Sequence, residues 1–549
     1  MLTRTICNRC SVGCGLVLRP RSDGTAEIEG DRLHPANRGE LCAHGLALPV
    51  APTMDGRLLR PHVANRPVSW ERALAYIARR LTDTLVQHGP GSIAMRLSGS
   101  MLTEDLYAAN KLMKGFIGSA HISVADGDDT SPGVTAHKRA FGEDIVAASR
   151  DDVTLAELVV AIDADTATHT PILHQHVLDA RRINGGRLVV IDAGGTPTAT
   201  DADLHLAPRP GSTATLMRGL LAYCLRADMV DRNLADAPDG FWATIDAGHD
   251  LWSIARTCDL PPADVQRFYE MVATTPRIVT LFGTHSTAAQ DILNFHIATR
   301  RIGQRGSGPF ALSFQSNAMG AREVGASAET LAAHRSLSPE DGAVVQRLWG
   351  APTIATNPGL TRSGMLAALR QARLKAIWIM GDPADDALVE ALDACPLVIV
   401  SGIRNDSPLA RSAHVLLPAT LWGEQDGTMT GLDRMVSRLR PFRPVPGEAR
   451  PDWWMVTQVA RRMGWANAFY YDRPADIYRE HCRLSAYRNG GRWLFDLTRH
   501  VSISNPAYDA MMPWRWGGDV FADGHYPTPT GRARLMQTGS AEDAGTSRP

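Results

Sequence analysis

Four cysteines near the start of the chain have the spacing of a metal-cluster site. Cys7, Cys10 and Cys14 lie within "CNRCSVGC", and Cys42 follows later, which gives the pattern C-x2-C-x3-C-x27-C. Four thiolates complete a [4Fe–4S] cube. Four cysteines also form structural zinc sites, but those sites usually show two short pairs. The spacing therefore favours a [4Fe–4S] cluster and leaves zinc as the alternative.

The residues around these cysteines suit a chain that wraps a bulky group. Gly13 and Gly15 permit tight backbone turns that other residues resist. The segment "GDRLHPANRGEL" is rich in turn residues and can return the chain to the same place before Cys42. The remaining cysteines have no ligand spacing and are predicted to be isolated buried thiols: Cys224, Cys258, Cys395 and Cys482.

The length and composition are typical of a globular protein with several domains. The chain has 549 residues, of which 44% are apolar and 21% charged. A net charge of −1 gives no electrostatic footprint for nucleic acid or a membrane surface. No apolar run reaches the roughly eighteen residues of a membrane span. Cys7 leaves no room for a leader, so we expect a cytoplasmic protein, where thiols stay reduced and bind metals.

The middle of the chain reads as alternating strands and helices. Short apolar runs that end in Gly or Asp are typical of buried parallel strands, here "ELVVAID", "GRLVVID", "RIVTLFG", "KAIWIMGD" and "PLVIVSG". Helical patterns lie between them, so the sequence predicts an α/β fold with doubly wound sheets. Such sheets bind ligands at the carboxyl ends of their strands. The glycine fingerprint of nicotinamide or flavin sites does not occur.

Beyond the cysteine motif, the chain resembles a known family in a series of collinear landmarks. They are "GDRLHPANRGELC", "TEDLYAANKLMKGFIGSAHI", "HKRAFGED", "FQSNAMGAREVGA", "WGEQDGTMT", "PGEARPDWWMVTQVARRMGW" and "YPTPTGRARL". They resemble the molybdopterin bis(guanine dinucleotide) oxidoreductases, the DMSO reductase superfamily. Within it the chain is most similar to the large subunit of bacterial assimilatory nitrate reductase.

The resemblance implies a domain plan for the whole chain. It comprises an N-terminal [4Fe–4S] domain and two intertwined doubly wound α/β domains, one of them discontinuous. The β-rich domain that closes over one pterin in the family is expected to be absent, because the chain stops near where it would begin. The implied ranges are 1–55 for the cluster domain, 56–135 with 320–500 for the discontinuous domain, 136–319 for an inserted Rossmann-like domain, and 501–549 for a connecting segment and disordered tail.

The resemblance also implies molybdenum bis(molybdopterin guanine dinucleotide), but the metal-ligand position differs. Relatives carry a cysteine about ten residues after "KGFIGSA", where this chain reads "HISVADGDDTSPG". Counting back from "KRAFG" places Asp129 at the ligand position. A carboxylate is a harder ligand than a thiolate and would change the tuning of the metal. The alternative is that this acidic loop simply faces water.

Further site residues follow from the matched motifs. Met319 and Arg322 are implied over the substrate funnel, and the planar guanidinium of Arg322 suits nitrate. A structural ion pair is the alternative for Arg322. The implied cofactor-binding residues are His44, Asp192, Thr196, Asn317, Gly320 and Gly381. His44 stands where relatives have a lysine between cluster and pterin, and an ordinary loop histidine is its alternative.

Several cofactor positions depart from the family pattern. One strand ends in "AIDAD", with Asp163 and Asp165, where the family has Gly-Ser-Asn. Another ends in "IDAGGT" and lacks the family's cations. Extra carboxylates repel a pyrophosphate, and a lost arginine removes bidentate recognition. The segment "PGEARPDWW" is interpreted as packing between domains.

Two functions follow from these patterns. The first is a nitrate-reductase-like enzyme in which the cluster feeds electrons to molybdenum and nitrate is the substrate. The second is a non-catalytic subunit that keeps the cluster, lacks molybdenum and relays electrons or acts as a scaffold. The departures at the cofactor positions favour the second function for the isolated chain. In both cases the expected partner is a redox protein: a flavoprotein, a ferredoxin or a full-length molybdoenzyme subunit.

Overall fold

A computed structural model describes residues 2–21, 26–48, 54–125, 131–247, 250–381 and 385–537. Asp129, the predicted metal ligand, lies outside the described residues, and so does the predicted disordered end of the chain from 538 onwards. Within the described ranges no helix is both long enough and apolar enough to cross a membrane.

The strands of the described residues belong to four sheets. In chain order they are β1 (Thr3–Ile6), β2 (Gly15–Pro20), β3 (Ala26–Gly30), β4 (His62–Val63), β5 (Arg66–Pro67), β6 (Ile93–Ser98), β7 (Ile122–Ala125), β8 (Leu158–Ile162), β9 (Arg187–Ile191), β10 (Leu204–Leu206), β11 (Ile278–Gly283), β12 (Gly308–Leu312), β13 (Ala376–Met380), β14 (Val398–Gly402), β15 (Val415–Pro418), β16 (Gly427–Thr430), β17 (Met435–Leu439) and β18 (Trp514–Arg515).

The helices lie largely between the strands. They are α1 (Ala43–Leu46), α2 (Trp70–His88), α3 (Thr103–Asn110), α4 (Pro132–Phe141), α5 (Arg150–Leu155), α6 (Thr166–His169), α7 (Pro171–Asn184), α8 (Pro197–Thr200), α9 (Thr213–Arg226), α10 (Phe241–Asp246), α11 (Leu251–Cys258), α12 (Pro262–Ala273), α13 (Ala289–Ala298), α14 (Ala318–Glu323), α15 (Pro339–Trp349), α16 (Arg362–Arg370), α17 (Asp386–Ala391), α18 (Pro408–Ser412), α19 (Asp452–Ala460), α20 (Pro474–Ala486) and α21 (Asn505–Asp509).

The chain divides into two compact units. The first comprises residues 1–129, 314–491 and 495–516, and the second comprises 130–313, 492–494 and 517–549. Each unit is built around one mainly or wholly parallel sheet. The domain ranges implied by the family resemblance stay a prediction beside this division.

The first unit contains a seven-stranded sheet in the order β5-β4-β15-β14-β13-β6-β7. The five strands from β15 to β7 are parallel, while β4 and β5 add an antiparallel edge. Every residue of β13 and β14 is buried, as expected of strands covered on both faces. The predicted strands "KAIWIM" and "PLVIV" are therefore confirmed, and they pack against apolar residues of α16 and α17.

Two small antiparallel sheets complete the first unit. The strands β1, β2 and β3 form an N-terminal sheet in which Ile6 pairs with Gly15, so the turn between β1 and β2 carries three of the motif cysteines. The strands β16, β17 and β18 form the other sheet.

The second unit contains a five-stranded parallel sheet in the order β10-β9-β8-β11-β12. The predicted strands "ELVVAID", "GRLVVID" and "RIVTLFG" are its three central strands, and their apolar residues are buried. The predicted α/β class is confirmed by both parallel sheets.

Candidate cofactor site

The turn between β1 and β2 holds Cys7, Cys10 and Cys14 together. The backbone N–H of Cys7 donates to the carbonyl oxygen of Cys14 over 2.8 Å. Gly13 has a φ of +63° and donates its N–H to the carbonyl oxygen of Cys10 over 3.3 Å. A positive φ is easily adopted only by glycine, so this residue allows the turn to close. Three thiols are thereby placed on one tight loop.

The return segment brings Cys42 back to this loop. The side chain of Asn37 accepts the N–H of Gly15 over 2.8 Å and donates to the carbonyl oxygen of Gly15 over 3.0 Å. The same amide donates to the carbonyl oxygen of Glu40 over 2.8 Å. Cys42 then occupies the N-cap of α1. A single buried asparagine therefore fixes the approach of the fourth cysteine to the other three.

The electrostatics of Cys7 suit a metal ligand. Burial raises the pKa of the Cys7 thiol to about 12, the N–H of Arg9 lowers it, and the nearby Cys10 and Cys42 raise it further. A buried thiol becomes a thiolate when a metal takes up its charge. None of these four cysteines forms a disulfide, so the donor set for a cluster is complete. No three His, Cys, Asp or Glu side chains in the described ranges are arranged to hold a single metal ion.

His44 lies beside the cysteine loop on the short helix α1. It is two residues after Cys42, and its side chain is exposed. This position leaves it accessible to a bound group, and its role between cluster and pterin stays a prediction.

A cavity of about 160 Å³ opens at the carboxyl ends of the parallel strands in the first unit. Parallel α/β sheets bind their ligands at this edge. Ser98, Gly381 and Gly402 stand at or directly after the ends of β6, β13 and β14. The full lining is Asn8, Ser98, Ser100, Met101, Gly381, Ser401, Gly402, Ile403, Ala419, Thr420, Leu421, Trp422, Gln425 and Asp452.

Asn8 joins this cavity to the cysteine loop. It stands directly after Cys7 in the sequence, and it lines the cavity. A group bound in the cavity would therefore lie beside the loop that holds the cluster.

Gly381 keeps the cavity open at the end of β13. Its φ is +75°, and an added Cβ would lie 2.8 Å from Cβ of Ser98 and 2.9 Å from Cγ of Met101. Any other residue would be strained and would press on the cavity wall. Its predicted place at a cofactor site therefore agrees with its position on this wall.

The segment around Asn317 is tied firmly into the first unit. The N–H of Asn317 donates to the carbonyl oxygen of Gly99 over 2.9 Å, and its Nδ2 donates to that of Met101 over 2.8 Å. Its Oδ1 accepts the N–H of Thr430 over 2.7 Å. A Cβ on Gly320 would collide with the Asn317 amide. These contacts position the loops around Met101, and the predicted cofactor contacts of Asn317 and Gly320 remain predictions.

Met319 and Arg322 lie on α14 and are both buried. Arg322 is 6% exposed, and its Nη1 donates to the carbonyl oxygen of Ala318 over 3.3 Å. The neighbouring Glu323 accepts the Oγ1 hydroxyl of Thr430 and Nε1 of Trp516, each over 2.7 Å. Burial raises the pKa of Glu323, and those two hydrogen bonds lower it. The predicted anion contact of Arg322 is not tested by this geometry.

In the second unit the acidic strand ends bond to the chain itself. Asp163 has a φ of +48°, and its Oδ2 accepts the Ser286 hydroxyl over 2.7 Å. Burial raises the pKa of Asp163, the Ser286 hydrogen bond lowers it, and Asp192 raises it. The Oδ1 of Asp192 accepts the N–H of Gly194 over 3.0 Å. The Oγ1 of Thr196 is buried and has no partner among the described residues.

Asp165, the other acidic residue that departs from the family pattern, has a local structural role. Its Oδ1 accepts the Thr198 hydroxyl over 2.7 Å and the N–H of Thr168, which caps α6. Burial raises the pKa of Asp165, but the hydrogen bonds from Thr168 and Thr198 outweigh this and lower it. This carboxylate is therefore held ionised by its own chain.

The structure adds cavity residues that the sequence did not indicate. Thr420 lies two residues before "WGEQDGTMT", and Asp452 lies within "PGEARPDWW", which was interpreted only as a packing segment. Their positions depend on contacts between residues far apart in the chain. Ser98 ends β6, whose apolar run is interrupted by Arg96, so only the folded sheet shows Ser98 as a strand end.

Comparison with known proteins identifies the class to which this chain belongs. A family model described as molybdopterin oxidoreductase matches residues 57–462, and one described as the molybdopterin oxidoreductase Fe4S4 domain matches residues 1–49. The chain belongs to the molybdopterin oxidoreductases. The predicted [4Fe–4S] cluster is confirmed as a cofactor of this domain, and molybdenum bis(molybdopterin guanine dinucleotide) is supported with it.

Two of the similar proteins are nitrate reductases. A nitrate reductase of Klebsiella oxytoca is 41% identical over 528 residues, covering 94% of this chain and 61% of that protein. A nitrate reductase of Shewanella frigidimarina is 36% identical over 576 residues, covering 97% of this chain and 61% of that protein. The chain thus spans about 61% of the length of these relatives.

A solved structure has the same fold. Acetylene hydratase from Pelobacter acetylenicus superposes with a TM-score of 0.76 over 99% of this chain and 78% of its own, at 16% sequence identity. This likeness concerns the fold alone. The relatives described here are nitrate reductases, and they give no support to the predicted non-catalytic subunit.

Proposed function

We propose that the chain is the cluster- and pterin-binding part of a nitrate-reducing molybdoenzyme. Electrons enter through the [4Fe–4S] cluster on Cys7, Cys10, Cys14 and Cys42. When bound, the molybdenum–pterin group supplies the two-electron chemistry that, with two protons, converts nitrate to nitrite and water. The protein contributes ligation, orientation and exclusion of water.

The observation that carries this proposal is the position of Asn8. It belongs to the cysteine loop and to the cavity wall. A [4Fe–4S] cluster and a group in that cavity would be close neighbours within one compact unit. Direct transfer from cluster to pterin needs no additional carrier in such an arrangement.

The cavity suits the pterin on chemical grounds. Gly381 and Gly402 allow a ligand to approach the strand ends, and Trp422 offers a flat apolar surface. Thr420 and Asp452 each have a buried polar atom with no partner within the described ranges. Buried polar atoms are normally paired, so a polar ligand with hydrogen-bonding edges fits this wall.

The remaining roles complete the proposal. Asp129 is assigned to the metal as its protein ligand, and Arg322 is assigned to nitrate, whose planar shape matches a guanidinium. Met319 is assigned to the funnel wall, and His44 to the space between cluster and pterin. Asn317, Gly320 and Gly381 are assigned to the pterin near the cluster, and Asp192 and Thr196 to the other dinucleotide.

The proposed partner is a redox protein that delivers electrons, either a ferredoxin or a flavoprotein. We propose a cytoplasmic location, because none of the eight cysteines forms a disulfide and a reducing compartment keeps thiols in that state.

Metal analysis joined to an activity assay tests the proposal. The full chain is purified without oxygen, its iron and molybdenum are measured, and nitrate reduction is followed with a reduced viologen as donor. We expect about four irons and one molybdenum per chain, with nitrite formed. Asp129→Ala should abolish nitrite formation and leave the iron unchanged. Iron without molybdenum, and no nitrite, would overturn the proposal in favour of the electron-relaying subunit.

A further inference from the structure

One indole joins the cavity to the strand that enters the cysteine loop. Trp422 lies between β15 and β16, is 5% exposed and lines the cavity. Its Nε1 donates to the carbonyl oxygen of Ile6 over 2.9 Å. Ile6 is the last residue of β1, and Cys7 follows it directly. A side chain of the cavity wall is therefore hydrogen-bonded to the peptide group that precedes a cluster ligand.

The peptide group between Ile6 and Cys7 is held from both sides. Its carbonyl oxygen accepts the indole N–H, and its own N–H donates to the carbonyl oxygen of Cys14 over 2.8 Å. A peptide group is planar, so these two bonds fix the direction in which the Cys7 side chain leaves the backbone. Sγ of Cys7 also accepts the N–H of Arg9 over 3.5 Å. Hydrogen bonds to the sulfurs help to set the reduction potential of a cluster, so a shift of Cys7 would change that potential.

The segment that carries Trp422 is anchored by buried charges. Oε2 of Glu424 accepts the N–H of Leu421 over 3.0 Å and Nη2 of Arg57 over 2.7 Å. The side chains of Arg57 and Glu424 are 3% and 1% exposed. Nη2 of Arg443 donates to the carbonyl oxygen of Trp422. A ligand that presses on the indole therefore acts on the Ile6 carbonyl, because the segment behind the indole is held in place.

Trp422 also completes a bonded route between the cavity and the cluster loop. From the indole to Sγ of Cys7 the route crosses one hydrogen bond and otherwise follows covalent bonds of Cys7 and of the peptide group before it. Electrons pass more readily through bonded atoms than across a gap of equal length. His44, the residue assigned to the space between cluster and pterin, has an exposed side chain on α1. Trp422, in contrast, is buried and contacts both sites.

We propose that Trp422 is a positioning residue that couples the cluster to the occupant of the cavity. It holds the peptide group before Cys7 and completes the bonded route between the two groups. The inference rests on the proposed function, because it takes the pterin as the occupant of the cavity. Each transfer oxidises the cluster by one electron and reduces the group in the cavity by one electron. The indole keeps its own electrons and its proton, so it is a route and not a carrier.

The coupling can be measured on the cluster itself, without turnover. The full chain is prepared with the pterin and, from a host that cannot make the cofactor, without it. Redox titrations followed by electron paramagnetic resonance give the cluster potential of both forms. In the wild type we expect the two potentials to differ. In Trp422→Phe, which keeps a ring and loses the N–H, most of that difference should be lost. An equal difference in the two proteins would overturn the coupling.

Reoxidation of the reduced cluster by nitrate tests the route. Stopped-flow absorbance follows this step after reduction without oxygen. Trp422→Phe should slow it roughly two- to tenfold, the range that loss of one hydrogen bond implies, with iron and pterin per chain unchanged. Trp70→Phe is the matched control, because Nε1 of Trp70 donates to the carbonyl oxygen of Glu448 over 2.8 Å, away from the described lining of the cavity. Equal rates in wild type and Trp422→Phe, or the same slowing in Trp70→Phe, would overturn the route.

A second variant separates the hydrogen bond from the shape of the ring. Benzothienylalanine in place of Trp422 keeps the bicyclic shape and has sulfur where the indole has N–H, so it should reproduce the effect of Trp422→Phe. Loss of iron from both variants would overturn the inference in favour of a purely structural role. Wild-type protein with iron but no pterin would overturn the proposed function and with it the route. If only the Trp422 variants behave as wild type, the inference fails and the proposed function stands.

Discussion

The polar groups at the strand ends of the two parallel sheets differ in whether they are hydrogen-bonded within the protein. In the first unit, the wall of the cavity includes glycines and the unbonded atoms of Thr420 and Asp452. In the second unit, Asp163 and Asp165 point their oxygens to Ser286 and Thr198 of the same unit. We call the carboxyl ends of the parallel strands in the first unit the first edge, and those in the second unit the second edge. The first edge keeps hydrogen-bonding atoms available for a ligand, whereas most such atoms at the second edge are bonded within the protein.

This difference indicates which edge keeps polar atoms available for a cofactor contact. An acid bonded to its own chain contributes to stability and offers little to a ligand. An unbonded buried atom destabilises the empty protein and gains most when a ligand arrives. We therefore expect substitutions at the first edge to change cofactor content, and substitutions at the second edge to change mainly stability.

Loss of the cluster should have the largest effect on the first edge. Cys10→Ser removes one of four thiolate ligands, so we expect loss of essentially all cluster iron, about four atoms per chain. Pterin content should fall with it, because Asn8 on the cavity wall lies in the same loop. Iron analysis and visible absorption measure the first effect.

Cys395→Ser is the matched control for that substitution. Cys395 is buried outside the cluster loop, and its Sγ bonds to the carbonyl oxygen of Leu397 over 3.5 Å, which a serine hydroxyl can replace. Its iron and pterin should match the wild-type values. Iron retained by Cys10→Ser, or lost from Cys395→Ser, would contradict the assignment of the ligands.

Gly381→Ala should produce the next largest effect. The alanine would have to adopt a φ of +75°, and its Cβ would lie 2.8 Å from Cβ of Ser98. Such a strained residue costs about 1–3 kcal/mol, and it narrows the cavity. We expect lower thermal stability together with reduced pterin per iron.

The contrast with Gly195→Ala separates these two effects. Gly195 is at the second edge, and an added Cβ there meets nothing within 4 Å. Its stability and pterin content should both stay close to wild type. If Gly381→Ala bound pterin normally, the cavity at the first edge would not be the pterin site.

The sequence predicted what depends on short segments of chain. The cysteine loop is contained in residues 7–14, and "ELVVAID" or "KAIWIMGD" is recognisable because every residue of the strand is apolar. The strand β6 was not predicted, because "IAMRLS" places Arg96 within a buried run. That arginine is accommodated by a hydrogen bond to Ser123 on the neighbouring strand, which a single segment cannot show.

The cavity could not be predicted because its parts come together only in the folded chain. Asn8 and Ser98 are 90 residues apart along the chain, Ser98 and Asp452 are 354 apart, and all three meet on one wall. The carboxyl of Asp452 lies near Asp105, which accepts the N–H of Trp453. The spacing of residues within a single motif cannot predict these contacts.

Asp165→Ala tests the second edge, and we expect a moderate loss of thermal stability. It removes the acceptor for the Thr198 hydroxyl and for the N–H of Thr168 at the start of α6. Loss of such a cap costs about 1–2 kcal/mol, so the midpoint of thermal unfolding should fall. Asp165→Asn retains an acceptor and should lose less. Pterin per iron should be unaltered in both variants, and a large decrease would show that Asp165 serves the cofactor.

The smallest expected effect is that of Asp163→Asn, and its sign is the informative part. The pKa of Asp163 is raised, mainly by burial and also by the charge of Asp192, although the Ser286 hydroxyl lowers it. An acid with a raised folded-state pKa contributes stability that is complete below its unfolded pKa and is lost as pH rises through the folded pKa. Asparagine avoids that loss, tolerates the φ of +48° and can still accept the Ser286 hydroxyl.

Asp163→Asn should therefore be slightly more stable than the wild type at neutral pH, within about 0.5 kcal/mol because the side chain is partly exposed. The difference should shrink as the pH falls toward the ordinary Asp value of about 3.9. Thermal unfolding of both proteins between about pH 8 and about pH 4 measures this trend. Asp192→Asn, which removes the neighbouring charge, should give a gain of the same sign. A variant less stable than wild type at neutral pH would mean that ionised Asp163 is held by a cation or ligand, and the two edges would then be alike.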